Sequence, residues 1–286
     1  MLTLNAIDTV VRAALDEDAP WGDVTSQVLI PADADATAQL MARESGVFSG
    51  GAVFAAAFRL TDPDIVTRML VADGAVFDAG DALAEVSGRA RGILQAERIG
   101  LNFVQRMCGI ATLTALYVAE TTGTGARIVD TRKTTPGLRA LERAAVRDGG
   151  GHNHRFSLSD AVMAKDNHLA VLTARGLDLT AALRQVRERI SHTTHLEVEV
   201  DRIGQIEPVL AAGVDTIMLD NFSPDALREG VRLVDGRALV EASGGVSLET
   251  VRSIAETGVD IISVGAITHS VRSLDLGLDV VILTEG

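Results

Sequence analysis

The chain has 286 residues, 47% of them apolar, enough for one large domain or two modest ones at roughly 150 residues each. A formal net charge of −13 excludes the broad basic face needed to grip a nucleic-acid backbone. No apolar run approaches the roughly 20 residues that span a bilayer, so neither nucleic acid nor membrane is an expected partner. The first residues, Met1 to Asp8, lack the basic start and apolar core of a signal peptide, and a single cysteine, Cys108, cannot form an internal disulfide. A reducing cytoplasm is the expected location.

In chain order, Leu4 to Leu15 carries the spacing of a short amphipathic helix, and the acidic, turn-rich segment up to Asp23 follows. Asp23-Val24-Thr25-Ser26 reads as a cap or bend. Ala36 to Arg43 alternates as a strand, Gly51 to Leu60 reads as a helix, and Ile65 to Val71 and Ala82 to Val86 as further strands. Together they make a small α+β unit. From Ile93 to about Thr121 small and apolar residues recur at helical spacing, which predicts one long helix bridging two domains, with Cys108 as an inert packed thiol.

After Gly125 a unit repeats: a β-branched run, a polar turn, then a helical pattern. The runs are Arg127 to Asp130, Ala161 to Lys165, Leu196 to Val200, Thr216 to Leu219, Ala238 to Glu241 and Ile261 to Val264. Strands alternating with helices predict parallel pairing through right-handed crossovers, and the lack of a dinucleotide glycine fingerprint favours a barrel over an open doubly wound sheet. Six strands where a closed barrel has eight predict an incomplete, open β/α barrel.

In such barrels chemistry gathers at the C-terminal strand ends. Those ends carry Arg132-Lys133, Lys165-Asp166, Glu199-Val200-Asp201, Asp220-Asn221, Ser243-Gly244-Gly245 and Gly265-Ala266. The last two turns stand where barrels hold phosphate on backbone N–H groups. Glu199 and Asp220, on neighbouring strands, suit a hard cation such as Mg²⁺, which takes one or two carboxylates and fills its other positions with water and substrate oxygens. The competing role for either acid is to cap a helix or pair with an arginine.

Composition singles out the stretch from Asp130 to His168. Of 26 Lys and Arg residues only two are lysine, Lys133 and Lys165, and both lie here. A lysine is a compact point charge where arginine is a planar fork. Eight basic side chains face five acidic ones between Arg127 and His168, so a small anionic substrate is expected, although Arg139, Arg143 and Arg147 fit the surface of one helix. His152, His154 and His168 lack zinc-site spacing and read as hydrogen-bonding residues.

Asp130-Thr131-Arg132-Lys133-Thr134-Thr135-Pro136-Gly137-Leu138, Asn153-His154-Arg155, Lys165-Asp166-Asn167-His168, Glu197-Val198-Glu199-Val200-Asp201 and Leu219-Asp220-Asn221 resemble quinolinate phosphoribosyltransferases, and the likeness extends to Trp21-Gly22-Asp23-Val24-Thr25 and Ala96-Glu97-Arg98. The resemblance implies an N-terminal α/β sandwich domain followed by an open β/α barrel in a homodimer, and places the domains at 1–108 and 109–270, with 271–286 packing back on the first. It implies transfer of a phosphoribosyl group from PRPP to quinolinate with decarboxylation. By the same resemblance Arg98, Arg132, His154 and Arg155 recognise quinolinate, with Arg98 reaching the neighbouring subunit's site. Lys133, Lys165, Glu199 and Asp220 surround PRPP and the reacting face, the two acids holding Mg²⁺, and Ser243, Gly244, Gly245, Gly265 and His269 hold the 5-phosphate. His152 stands where family members usually carry an apolar residue and Ser157 where glycine is usual. The alternatives are a phosphoribosyltransferase-like protein acting on another pyridine acid, or a non-catalytic metabolite-binding protein.

Overall fold

The computed structural model describes residues 2–174 and 176–283. The first strands are β1 (Asp35–Ala42), β2 (Gly46–Val47), β3 (Val66–Met69), β4 (Val76–Phe77) and β5 (Ala82–Arg89). Then come β6 (Arg127–Val129), β7 (Val162–Ala164), β8 (Leu196–Val200), β9 (Thr216–Asp220), β10 (Leu239–Ser243), β11 (Ile261–Ser263) and β12 (Leu276–Leu283). The chain forms two compact units. The first takes the chain up to Ala115, Thr134–Gly150 and the segment from Ile267 onward, and the second takes Leu116–Lys133 and Gly151–Ala266.

In the first unit, β1 alternates as its sequence predicts: Ala36, Ala38, Leu40 and Ala42 are buried while Asp35, Thr37 and Gln39 face out. It is the second strand of an antiparallel sheet ordered β12-β1-β5-β3. β12 pairs with β1 along its full length, from Asp35 opposite Leu283 to Ala42 opposite Leu276. Within the segment 271–286, Leu276–Leu283 is thus a strand of the first unit's sheet, and residues 284–286 lie outside the described residues. The helix Leu4–Asp18 packs on the helix Gly51–Thr61. Phe54 and Phe58 of the latter are fully buried and meet edge to face at 4.9 Å, each contributing roughly 2 kcal/mol of hydrophobic stabilisation.

The long helix runs from Ala90 to Glu120. Its buried positions, Ile93, Ala96, Gly100, Val104, Met107 and Ala111, recur at three- and four-residue steps. By length and composition alone it could cross a membrane, but most of its apolar stretch is buried inside the protein, as in any core helix. Gly109 sits where the chain leading into β12 crosses: a Cβ there would come within 2.2 Å of the Arg272 carbonyl oxygen. Cys108 is buried and free, and burial pushes its thiol up to about 12.

The contacts divide the chain differently from a contiguous 109–270 barrel. The helix Arg139–Asp148 belongs to the first unit because Arg106 donates Nε and Nη2 to the buried Glu142 carboxylate, at 2.9 and 2.5 Å. Ser49 Oγ likewise donates to Asp148 at 2.6 Å.

The second unit is a six-stranded, wholly parallel sheet in the order β6-β11-β10-β9-β8-β7. Among the described residues it does not close: β6 and β7 remain edges, and beyond β6 there is a one-residue bridge from Val129 to His152. Outward residues such as Val198, Val200, Ile217, Leu219 and Val240 are buried under helices whose starts are local. Ser223, for one, accepts the Ala226 N–H at 3.3 Å, with Pro224 in the first turn. The opposite parity points into the barrel and builds the site.

Candidate active site

A cavity of about 630 Å³ opens at the C-terminal ends of these strands. Asp130, fully buried at the end of β6, accepts the His154 N–H at 2.7 Å and the Asn153 side-chain amide at 2.5 Å, which fixes the segment bearing His154 and Arg155. Beyond it Thr131, Arg132 and Lys133 reach the cavity wall. After β7, Lys165 opens the helix Asp166–Thr173, and its N–H donates to His168 Nδ1 at 3.0 Å. The Lys165 ammonium is paired with Glu199 of β8.

Asp220 ends β9 and accepts the Asn221 side-chain amide at 2.6 Å. Asn221 itself takes a left-handed backbone, φ 58°, and donates its N–H to Ser243 O at 2.8 Å. The turn after β10 must therefore be glycine. Gly244 has φ +93°, and a Cβ on it would lie 2.1 Å from Asn221 Oδ1; Gly245 has φ +60°. Ser243, Gly244 and Gly245 all line the cavity.

Four cations, Arg132, Lys133, Arg155 and Lys165, thus line the same space as Glu199 and Asp220. Arg155 donates to Ala161 O at 2.8 Å, and its guanidinium is less basic than usual because it is partly buried and lies near the charge of Arg132. Two like charges held close, with part of their water removed, are an anion-binding arrangement whose mutual repulsion an acid with two carboxylates relieves. Glu199 and Asp220 fit a hard cation: two carboxylates open to one polar cavity leave the remaining positions to water and to substrate oxygens. Lys165 balances the Glu199 charge meanwhile.

Deeper in the barrel, His154 meets Glu197 of β8 and Glu241 of β10. Its Nε2 lies 3.1 Å from Glu197 Oε2 and 3.5 Å from Glu241 Oε2. These atoms are close enough to hold a metal, but the ring argues otherwise. The Arg155 N–H donates to Nδ1 at 2.7 Å, so the imidazole proton sits on Nε2, facing the carboxylates. A metal on Nε2 would force that proton onto Nδ1 and break the Arg155 contact.

Most residues expected from the sequence share this one cavity: Lys133, Lys165, Glu199, Asp220, Arg132, His154, Arg155, Ser243, Gly244 and Gly245. Gly265 follows β11 by two residues and is not among the lining residues. Arg98 and His269 belong to the first unit. Arg98 is exposed on the long helix, and His269 Nδ1 contacts Ser270 Oγ at 2.6 Å. His152 is exposed, contributing its backbone to β6, and Ser157 Oγ accepts the Ser159 N–H at 3.2 Å; neither lines the cavity.

The sequence matches family models for the quinolinate phosphoribosyl transferase N-terminal domain over residues 23–108 and C-terminal domain over residues 110–279. The chain belongs to the quinolinate phosphoribosyl transferase family. Among relatives of this family, the nicotinate-nucleotide pyrophosphorylase [carboxylating] of Mycobacterium leprae is 44% identical over 283 residues, covering 96% of this chain and 97% of its own. The probable enzyme of the same name from Bacillus subtilis is 40% identical over 269 residues, 94% of this chain and 91% of its own. The crystal structure of NadC from Streptococcus pyogenes superposes with a TM-score of 0.94 at 38% identity, covering 99% of each chain.

Within this quinolinate phosphoribosyl transferase fold, sequence reasoning left Glu197 and Glu241 without a role. The available signal was parity. Glu197 lies two residues before Glu199, and Glu241 two before Ser243, so each shares the inward face of its strand with a cavity residue.

Proposed function

We infer that this chain transfers the 5-phosphoribosyl group of PRPP to the ring nitrogen of quinolinate with loss of CO₂, yielding nicotinate mononucleotide and pyrophosphate for NAD synthesis. The observation that carries this reading is the convergence of Arg132, Arg155, Lys133 and Lys165 with Glu199 and Asp220 in one strand-end cavity. It offers forks for two carboxylates beside point charges for phosphates.

As the bond from the anomeric carbon to pyrophosphate breaks, positive charge develops on the ribose and negative charge on the leaving oxygens. Lys133 and Lys165 stabilise the latter, and a carboxylate beside the ribose favours the former. The quinolinate nitrogen, oriented by Arg132 and Arg155, then closes the new C–N bond. The alkylated ring is cationic, so the neighbouring carbon–carboxylate bond breaks to give CO₂, its electron pair staying on a carbon stabilised by that charge until a proton arrives. No residue need act as a covalent nucleophile. Glu199 and Asp220 would hold Mg²⁺, whose charge would help neutralise the departing pyrophosphate.

The composition and the homology of the fold support a cytoplasmic enzyme working as a homodimer, with Arg98 of each subunit completing the other's carboxylate pocket. The deciding experiment incubates the protein with PRPP, quinolinate and Mg²⁺ and follows CO₂ and nicotinate mononucleotide together. Equal, metal-dependent release of both is expected, with little turnover of nicotinate. Turnover of nicotinate in preference to quinolinate, or ligand binding with no product, would overturn the reading.

A further inference from the structure

Glu197 and Glu241 are 3% and 1% exposed, inside a barrel whose interior is otherwise free to be filled with apolar side chains. Burying two carboxylates side by side costs several kcal/mol unless something compensates them. Neither reaches a lysine or arginine within ion-pair distance among the described residues; what both reach is His154 Nε2, at 3.1 and 3.5 Å. The second oxygen of each, Oε1, has no hydrogen-bond partner among the described residues. The two acids come from different strands, β8 and β10, so one imidazole edge is held by the strands on either side of β9.

The opposite edge of that ring is occupied as well. His154 Nδ1 accepts the backbone N–H of Arg155 at 2.7 Å, and the His154 N–H is fixed on Asp130 at 2.7 Å. Both ring nitrogens are thus engaged inside the protein. The ring serves as a strut: pinned by two glutamates, it holds the backbone from which the Arg155 guanidinium reaches the cavity wall.

We propose that Glu197 and Glu241 are positioning residues of the pyridine-acid subsite, acting through the His154 ring to fix Arg155 where it meets a substrate carboxylate. The inference rests on the quinolinate reading of the cavity for its kinetic consequence, though not for its geometry.

The test uses Glu197→Gln and Glu241→Gln, which keep size and an acceptor oxygen but remove the charge, singly and together, in the full-length protein. Loss of charge-assisted hydrogen bonds of this kind should weaken the dependent contact by about tenfold or more. The expected result is a rise of that size in the KM for quinolinate, a KM for PRPP within a factor of two of the parent, and an undiminished melting temperature, since a buried carboxylate pair has been relieved. Long-range ¹H–¹⁵N spectra of histidine-labelled protein, with the His154 signals assigned by His154→Asn, should show the parent ring protonated at Nε2 with Nδ1 accepting, and the double variant without that preference. An unchanged quinolinate KM in folded variants would overturn the proposal. So would an equal rise in both KM values with a lower melting temperature, which marks a purely structural pair. If the parent makes no nicotinate mononucleotide, the functional reading fails, while the ring spectra still decide whether the glutamates hold His154.

Discussion

Lys165 is held at both ends: its backbone N–H by His168 Nδ1 and its ammonium by Glu199. The ammonium approaches Glu199 end-on as a compact point charge, which a planar guanidinium does not reproduce. A planar guanidinium at this position is expected to fail where the compact ammonium works, so Lys165→Arg should lower kcat/KM for PRPP by roughly a hundredfold, about 2.7 kcal/mol of lost transition-state stabilisation. Steady-state kinetics at saturating quinolinate would check it, and activity within threefold of the parent would show that charge alone suffices. This position was legible in the sequence, because a chain that uses arginine almost everywhere keeps its two lysines in one motif-rich stretch. Glu197 and Glu241 were not legible in the same way. Their chemistry depends on two strands, β8 and β10, and the Asp130-anchored segment meeting at one ring, and register is what decides which alternate residues face inward.

At the scale of elements, the repeat of strand, turn and helix announces the parallel barrel, since each unit carries its own period and caps. β12 is different. Its partner β1 lies more than two hundred residues away, and Leu276 to Leu283 gives no local sign of which edge it will join. A specific contact sets the strand's entry: Glu44 Oε1 and Oε2 accept Arg272 Nη1 and Nη2, each at 2.7 Å, and Oε1 also accepts the Asp275 N–H at 2.7 Å. These bonds, first that of Arg272 and then that of Asp275, lower the Glu44 carboxyl from the usual 4.5 to about 2. A depressed carboxyl adds stability that is full above its unfolded-state value and lost as pH falls through the folded one. The stability difference between the parent and Glu44→Gln should therefore be largest at pH 5 and above and shrink steadily toward pH 2. Urea unfolding at several pH values reads this directly, and a constant difference across the window would contradict it.

At the scale of the whole molecule, the proposed dimer makes a sharp prediction about Arg98. If this exposed arginine serves the neighbouring subunit's cavity, Arg98→Ala and Lys165→Ala proteins, each inactive alone, should complement one another when mixed. Each mixed dimer then holds one intact site and one with both lesions, so full exchange gives about a quarter of the parent activity per subunit. No activity from verified heterodimers would place Arg98 in its own subunit's site or outside catalysis. The assembly of a single chain has a consequence of its own. Every segment of the second unit lies between Leu116 and Ala266, so a nascent chain can finish that unit while the first is still missing β12. Until residues 276–283 leave the ribosome, β1 keeps one bare hydrogen-bonding edge, the feature to which chaperones and proteases add a strand of their own. Emergence of β12 removes that mark, so the exposed edge of β1 reports whether β12 has been made.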